Sequence, residues 1–276
     1  MSAPSSRGEI GRILLLGGGN MGGAMLRGWI SAGLAGEPVH VVDPYPSPAL
    51  ADLIDAGTIR HSTIVPEGPF DVAVVAVKPQ MAAEALPPLR SALQGDTLVI
   101  SVVAGTTIAT LEALLGPHPT IRAMPNTPAL IGRGITGCYA NPAVGDAVRG
   151  RAEALLSASG AVVWVDGEGD IDAVTAVSGS GPAYVFHLAE ALAAAGERLG
   201  LPPQLAMTLA RHTVAGAGEL MIRSEDAPDQ LRRNVTSPNG TTQAALEVLM
   251  AKDGLSQLLE RAVTAARDRA RELSKG

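Results

Sequence analysis

Short apolar runs alternate with longer amphipathic segments over the first part of the chain, from Arg12 to Asp166. Each run is continuously apolar, so we expect strands that are buried on both faces of a parallel sheet, with helices covering it. This pattern predicts a doubly wound α/β fold. The runs are ILLLG (13–17), VHVVD (39–43), DVAVVAV (71–77), TLVISVV (97–103), TIRAM (120–124) and AVVWVD (161–166).

The pattern changes after Asp170, where long stretches rich in Ala and Leu replace the strands. Their apolar residues recur at helical spacing, and LGLPP and TSPNGT supply loops between them. We therefore predict a disordered lead-in at 1–10, an α/β domain at 11–168 and an all-helical domain at 169–276. The predicted helices of the last domain lie at 183–199, 203–222, 241–252 and 254–273.

Composition narrows the class of protein. The chain has 276 residues, of which 46% are hydrophobic but only 3% aromatic, so its core is built from small and aliphatic side chains. Helices rich in such residues approach one another closely and often pair between subunits. A formal net charge of −6, with no cluster of Lys or Arg, argues against a nucleic-acid partner.

Targeting and redox signals favour a cytoplasmic protein. The polar start MSAPSSRGEI has neither a signal core nor a transit pattern. No stretch reaches about 18 strongly apolar residues, so we expect no membrane partner. The single cysteine, Cys138, cannot form an internal disulfide and has no ligand cluster around it. We expect a buried thiol, a reducing compartment and no metal.

A glycine-rich motif follows the first predicted strand. Gly17, Gly19 and Gly22 match G-x-G-x-x-G and open the predicted helix MGGAMLRGWISAG. The first glycine permits the turn, the second lets the backbone approach a phosphate, and the third brings helix against strand. The N–H groups around Asn20 and Met21, at the positive end of the helix dipole, then hold a pyrophosphate. A tight turn without a ligand is the alternative, but the position favours a dinucleotide.

Asp43 ends the second predicted strand. An acidic side chain at this position accepts hydrogen bonds from the adenosine ribose hydroxyls and repels a 2′-phosphate. No Lys or Arg lies between Asp43 and Arg60. We therefore expect NADH to be favoured over NADPH. The alternative is that Asp43 is a turn residue in DPYP.

AVKPQ (76–80) ends another strand at the carboxyl edge, where open α/β sheets bind ligands. We expect Val77, Lys78 and Pro79 to line the cofactor, chiefly through their backbone. Lys78 either faces the cofactor phosphate or ribose or is a solvated charge beside a proline that starts the next helix.

SVVAGTT (101–107) and MPNTP (124–128) end two further strands in the same way. We expect Ala104 and Gly105 to contact the cofactor. Asn126 offers an amide to the nicotinamide carboxamide, and the prolines beside it fix the loop. A plain Asx turn is the alternative for Asn126.

Two motifs stand out in the helical half, AVSGSGPAYVFHLAEAL (176–192) and LRRNVTSPNGTTQAALEVL (231–249). Each is a loop of small residues that opens a helix. Pro182 at a first helical position and Thr241 at an N-cap are ordinary helix starts. The exposed N–H groups of a helix start also suit a substrate carboxylate, so both motifs are candidate sites.

Taken in order, GGGNMGGA, AVKPQ, SVVAGTTI, MPNTP, SGSGPAY and NVTSPNGTT resemble the motifs of pyrroline-5-carboxylate reductases over nearly the whole chain. The last motif is close to a family signature, whereas many dehydrogenases share the first. The resemblance implies a Rossmann-like dinucleotide-binding domain followed by a helical substrate and dimerisation domain. It further implies reduction of 1-pyrroline-5-carboxylate to L-proline by hydride transfer from NAD(P)H, and a homodimer with intertwined helical domains, assembled further into a decameric ring of dimers.

The same resemblance assigns a substrate site to the second helical motif. It places the backbone of Asn239, Gly240 and Thr241 on the substrate carboxylate and Thr242 near the ring nitrogen. We expect Thr242 to donate a hydrogen bond or proton there, because an imine that arrives protonated needs mainly orientation. The other residues expected around the substrate are Ser180, Ser237 and Glu225, the last as the nearest acid.

Several alternatives stay open. Many relatives carry a small polar or basic residue in place of Asp43 and use NADPH, which keeps NADPH as the alternative cofactor. A β-hydroxyacid dehydrogenase relies on a lysine in its helical half, but Lys252 and Lys275 lie outside any loop-helix motif. An imine reductase on another small substrate also fits the plan. A non-catalytic cofactor-sensing module should lack an intact second site, yet SPNGTT and SGSGP are both present.

Overall fold

A computed structural model describes residues 10–34 and 39–274. Residues 1–9 of the predicted lead-in lie outside this part, whereas Ile10 is buried in the core. The chain divides into two compact units. The sheet unit comprises the chain up to Gly179 together with the segment from Ala266 onward, and the helical unit is Ser180–Ala265.

An eight-stranded sheet lies at the centre of the sheet unit, in the order β3-β2-β1-β4-β5-β6-β7-β8. All neighbouring strands are parallel except β6 and β7. The predicted Rossmann-like fold class is therefore confirmed. The strands are β1 (Ile13–Leu16), β2 (His40–Val42), β3 (Arg60–Ser62), β4 (Val72–Val75), β5 (Leu98–Ser101), β6 (Thr120–Met124), β7 (Gly134–Ala140) and β8 (Gly160–Trp164).

The six predicted strands are all present, and β3 and β7 add to them. The expectation of a wholly parallel sheet is wrong at β7. The short connection at 125–133 contains only a 3-10 turn, Thr127–Ile131, and a parallel return needs a crossover of about a dozen residues or more. Glycine makes β7 hard to recognise, yet it leaves room for the helix that packs on the strand. A Cβ at Gly137 would lie 2.5 Å from Val174 Cγ1.

Helices cover both faces of the sheet. One face packs against side chains of α1 and α5, including the fully buried Trp29, whose indole Nε1 donates to Leu155 O at 2.8 Å. The other face packs against residues before β5 and against α4. The helices of this unit are α1 (Asn20–Ser31), α2 (Pro48–Asp55), α3 (Ala82–Ala85), α4 (Ile108–Leu115), α5 (Asp146–Ser157) and α6 (Asp170–Val174), which runs into a π-helix at Thr175–Gly179.

The helical unit has a much smaller buried core. Helices α7 and α8 pack on each other, and the buried apolar side chains among the described residues of this unit are Ala193, Ala206 and Ala210. Many larger apolar side chains, such as Phe186 and Ile222, are exposed. The four predicted helices are present and α9 adds to them: α7 (Gly181–Arg198), α8 (Pro203–Arg223), α9 (Pro228–Asn234), α10 (Thr241–Leu249) and α11 (Leu255–Leu273), which continues into the sheet unit.

Membrane spanning requires a helix that is both long and strongly apolar. Within residues 10–34 and 39–274 no helix meets both conditions.

Candidate active site

The turn between β1 and α1 has a geometry that only glycine allows at two positions. Gly17 has φ of 97°, and a Cβ there would lie 2.8 Å from Ala76 O. A Cβ at Gly22 would collide with the carbonyl oxygen of Gly17, so helix and strand approach as closely as the backbone permits. The turn and packing roles that the sequence predicts for these two glycines match this geometry.

Gly19 differs from both because the space beside it is open. A Cβ there would meet no other atom of the described chain within 4 Å. Gly19 is also the N-cap of α1, and among the described residues no side chain caps this helix and no acidic residue lies in its first turn. The N–H groups from Asn20 and Met21 therefore belong to a bare, positive helix end. This arrangement fits a bound pyrophosphate.

The carboxylate of Asp43 is directed at the same turn. Its Oδ2 accepts from Gly18 N at 2.7 Å, and its Oδ1 accepts from Tyr45 N at 2.8 Å. Asp43 therefore supports the glycine turn as well as its own. Each carboxylate oxygen can accept more than one hydrogen bond, so acceptance from ribose hydroxyls is compatible with these contacts. Arg60 begins β3, at the end of the strand away from Asp43.

Tyr45 was not identified from the sequence. Its ring is 86% exposed, two residues beyond Asp43 at the carboxyl end of β2. A large aromatic side chain that stays exposed beside a nucleotide-type turn can cover a nucleobase. The signal in the sequence was its position just after a strand that ends in an acidic residue.

The loop after β4 also lies at the carboxyl edge. Ala76 N donates to Leu16 O at 2.8 Å, which places Val77 and Lys78 beside the glycine turn of the neighbouring strand. Pro79 begins a 3-10 helix, Pro79–Met81, and the side chain of Lys78 is exposed. The predicted helix start at the proline is therefore present.

The loop after β5 contains Ala104 and Gly105, both half-buried, and Gly105 has φ of 74°. A Cβ at Gly105 would lie 3.0 Å from Leu273 O, so the last turn of α11 occupies one side of this loop. Thr107 then caps α4 through its side chain, which accepts from Thr110 N at 3.1 Å. The loop is thus held at both its turn and its exit.

The side chain of Asn126 has two partners within the folded chain. Its Nδ2 donates to Ser178 O at 3.1 Å, and its Oδ1 accepts from Ile135 N at 3.0 Å. Both polar groups of this buried amide therefore have a partner within the sheet unit, and each can make a further hydrogen bond, so the contact with the nicotinamide stays a prediction. Asn126 is not a plain Asx turn, because the side chain joins the π-helix to the start of β7.

In the helical unit, the loop before α10 brings most of the predicted substrate residues together. Asn239 has φ of 58°, and its N–H donates to Gln243 Oε1 at 2.8 Å. Gly240 N donates to Ser237 O at 3.1 Å. Thr241, the predicted N-cap, is instead the first helical residue, and Gly240 is the cap.

The other residues of this unit that are predicted to surround the substrate lie in different elements. Thr242 is half-buried in the first turn of α10. Ser180 is the N-cap of α7, and Pro182, predicted at the first helical position, is the second residue of that helix. Glu225 is exposed in the loop between α8 and α9.

Cys138, the single cysteine, is fully buried in β7. Burial raises the pKa of its thiol to about 12, so the thiolate is scarce at neutral pH. This environment suits a packing residue, as the sequence predicts, and gives no reactive nucleophile.

Both halves of the chain match models of known protein families. Residues 168–273 match the family model described as pyrroline-5-carboxylate reductase dimerisation, which supports homo-oligomerisation. Residues 12–105 match a model described as NADP oxidoreductase, coenzyme F420-dependent.

Individual relatives match nearly end to end. The chain is 42% identical to a pyrroline-5-carboxylate reductase of Pseudomonas aeruginosa, over 96% of this chain and 97% of the relative. A structure of a pyrroline-5-carboxylate reductase from Coxiella burnetii is 36% identical, with a TM-score of 0.87 over 97% of this chain and 100% of that one. One from Plasmodium falciparum with NADP bound is 27% identical, with a TM-score of 0.79 over 96% and 99%. The chain belongs to the pyrroline-5-carboxylate reductase family.

Proposed function

We propose that the protein reduces 1-pyrroline-5-carboxylate to L-proline with NAD(P)H. The observation that carries this proposal is the 42% identity, over 96% of the chain, to a relative named for that activity. The bare glycine turn and the intact SPNGTT loop supply the two binding regions that such a reaction requires. A cofactor-sensing module would need only the first of them.

The cofactor would lie along the carboxyl edge of the sheet. Its reduced nicotinamide supplies the hydride for the C=N carbon of the substrate. The open backbone at Gly19 to Met21 would bind the pyrophosphate, and the exposed ring of Tyr45 would cover the adenine. The other residues proposed to line the cofactor are Gly17, Gly22, Val77, Lys78, Pro79, Ala104 and Gly105.

Asp43 favours NADH in this proposal. Its carboxylate lies at the end of β2, where a 2′-phosphate of NADPH would bring a second negative charge. Two like charges about 4 Å apart near a protein surface repel by about 4 kcal/mol. The loops after β2 and β3, residues 43–47 and 63–69, contain no Lys or Arg to offset that repulsion. NADPH is the alternative, since the Plasmodium falciparum relative was solved with NADP.

The substrate would bind at the start of α10. The backbone of Asn239, Gly240 and Thr241 would face its carboxylate at the positive end of the helix. The N–H groups of Asn239 and Gly240 would exchange their bonds to Gln243 Oε1 and Ser237 O for bonds to the substrate. The hydroxyl of Thr242 would donate a hydrogen bond to the ring nitrogen and orient the C=N carbon towards the hydride. Ser180, Ser237 and Glu225 would complete the surroundings. Most of the catalysis would then come from positioning.

We further propose that the protein works in the cytoplasm as a homodimer formed through its helical unit. The exposed apolar side chains of that unit would be covered by the same unit of a second copy. Assembly of the dimers into a decameric ring is the larger form that family resemblance favours.

Turnover of the purified protein tests the proposed reaction. We expect NADH or NADPH to be consumed only when 1-pyrroline-5-carboxylate is present, with L-proline formed in equal amount. A matched reaction with a cyclic imine that lacks the carboxylate should be much slower, because the start of α10 would have no anion to bind. A folded protein that binds NADH but turns over neither cofactor would contradict the proposal.

A further inference from the structure

A buried arginine in β6 is unusual for a strand of the central sheet. Arg122 is 5% exposed and lies between the buried residues Ile121 and Ala123. An unpaired charge in such a place would cost several kcal/mol, so its partners are essential. Its Nη1 lies 3.3 Å from Glu168 Oε1, and its Nη2 lies 3.4 Å from Asp172 Oδ1.

Glu168 does more than pair with this arginine. The same Oε1 atom accepts from Ile108 N at 2.7 Å, the N–H of the first residue of α4. Helix α4 begins directly after the loop at 102–107, the loop that carries Ala104 and Gly105. One carboxylate oxygen of Glu168 therefore contacts both the guanidinium of Arg122 and the N–H group at the exit of that loop.

Asp172 fixes the other side of the arginine. It lies in α6, and its carboxylate is almost fully buried. Arg122 therefore keeps a carboxylate partner on a separate helix, through Nη2, if the Glu168 side chain moves. The Arg122 guanidinium thus holds the Glu168 carboxylate where it can accept from Ile108 N.

We propose that Glu168 is a positioning residue for the loop at 102–107, with Arg122 holding its carboxylate in place. Neither side chain contacts cofactor or substrate in this scheme. Glu168 acts through Ile108 N, which sets where α4 starts and hence where Ala104 and Gly105 lie at the cofactor edge. The inference rests on the proposed function, because that function gives the loop its cofactor.

The hydrogen bond from Ile108 N to Glu168 Oε1 can be removed by changing either the donor or the acceptor. Ile108→Pro deletes the donor, and proline is well tolerated at a first helical position, particularly since Thr107 before it is already extended. Ile108→Ala is the matched control, because it also loses the buried side chain but keeps the N–H. Glu168→Ala deletes the acceptor, whereas Glu168→Gln keeps an oxygen at Oε1 that can accept both bonds.

We expect Ile108→Pro and Glu168→Ala to raise the KM and the dissociation constant for NADH about tenfold, with a much smaller change in kcat. A misplacement of about 1 Å can cost up to about a hundredfold in such sites. Glu168→Gln should recover most of the affinity. Glu112→Ala gives a second control, since Glu112 lies on the same helix but accepts from Asn141 Nδ2 at 3.0 Å instead.

Equal NADH affinity in Ile108→Pro and Ile108→Ala would overturn the proposal, as would an effect of Glu112→Ala as large as that of Glu168→Ala. Should Glu168→Ala fail to fold, the proline and alanine pair at position 108 still decides. NADH binding is measured by fluorescence without substrate. Failure of the wild-type protein to reduce pyrroline-5-carboxylate would therefore count against the proposed function and leave this test intact.

Discussion

The two units bury their apolar side chains to very different extents. In the sheet unit the central strands β1, β4, β5 and β6 are almost completely buried, with separate apolar clusters on the two faces of the sheet. In the helical unit the buried apolar side chains of the described residues are three alanines, while leucines, valines and a phenylalanine of α7 are exposed. The first unit therefore builds a core from its own residues, and the second has an apolar surface that a second copy would cover.

This difference has a functional consequence. A preformed sheet edge can hold a cofactor with little rearrangement. In a helical unit whose apolar surface is covered only on assembly, the positions of the loops would depend on the oligomer. At about 25 cal/mol per Å² of apolar surface removed from water, covering the exposed side chains would contribute much of that unit's stability. We expect substitutions in the two units to differ in kind as well as in size.

The largest effect is expected at the centre of the sheet unit. Trp29→Ala removes a fully buried side chain and the bond from Nε1 to Leu155 O, so the free energy of unfolding should fall by about 3–5 kcal/mol. Trp164→Ala is the matched control, because that indole is only half-buried at the edge strand β8. Chemical denaturation followed by circular dichroism measures both. Equal losses of unfolding free energy in the two variants would contradict the assignment of Trp29 to the core.

Thr242→Ala tests whether the helical unit contributes to the chemistry rather than to cofactor binding. We expect kcat to fall about a hundredfold, in the lower part of the range for a proton-donating group, with the KM for NADH unchanged. Thr242→Ser retains the hydroxyl and should keep most of the rate. Steady-state kinetics with both substrates varied separates the two parameters. An unchanged kcat would remove Thr242 from the mechanism.

Dimer formation through the helical unit can be tested with two isoleucines of equal exposure, one in each unit. Ile222 of the helical unit is 75% exposed and Ile64 of the sheet unit is 76% exposed. Ile222→Glu should weaken the dimer by about 2 kcal/mol or more, or about thirtyfold in dissociation constant, because it places a charge in an apolar interface. Ile64→Glu should leave the dimer intact. Sedimentation at a series of concentrations measures both, and equal behaviour of the two variants would contradict the comparison.

The proposed preference for NADH depends on a residue of the sheet unit, Asp43. Asp43→Ser removes the carboxylate that would repel a 2′-phosphate while retaining a group that can accept from Gly18 N. We expect the ratio of kcat/KM for NADH to that for NADPH to fall about tenfold, which corresponds to about 1.4 kcal/mol. Asp55→Ser, at the end of α2, provides a charge-matched control. An unchanged ratio would leave Asp43 as a support for the turn alone.

The last prediction concerns the reactivity of a single thiol in the unaltered protein. Burial raises the pKa of Cys138 from 9.0 to about 12, which lowers its thiolate fraction near neutral pH about a thousandfold. An aromatic disulfide reagent at pH 8 should therefore label the native protein very slowly and the denatured protein rapidly. Rapid labelling of the native protein would show that β7 opens readily.

Much of the fold could be predicted from the sequence because its signals are local. The continuous apolar runs gave six strands, and the glycine spacing after β1 gave a turn whose geometry the structure bears out at Gly17 and Gly22. β3 was missed because it is three polar residues at the sheet edge, and β7 because two of its seven residues are glycines. Helix α9 is short and polar, so it has little apolar periodicity.

The site was less predictable where it depends on distant partners. Arg122 pairs with carboxylates 46 and 50 residues further along the chain, and no spacing rule connects them. A charged residue within an apolar strand was the available signal that such partners exist. Asn126 also has partners that only the folded chain supplies, Ile135 N and Ser178 O, so its position was predictable but its bonds were not.

Isotope transfer gives a direct test of hydride transfer from the cofactor to the C=N carbon. The protein would be supplied with 1-pyrroline-5-carboxylate and with NADH or NADPH deuterated at both C4 positions, and the product would be examined by mass spectrometry and NMR. We expect L-proline with a single deuterium at C5, the former C=N carbon. Proline without deuterium, or deuterated cofactor consumed without proline, would contradict this expectation.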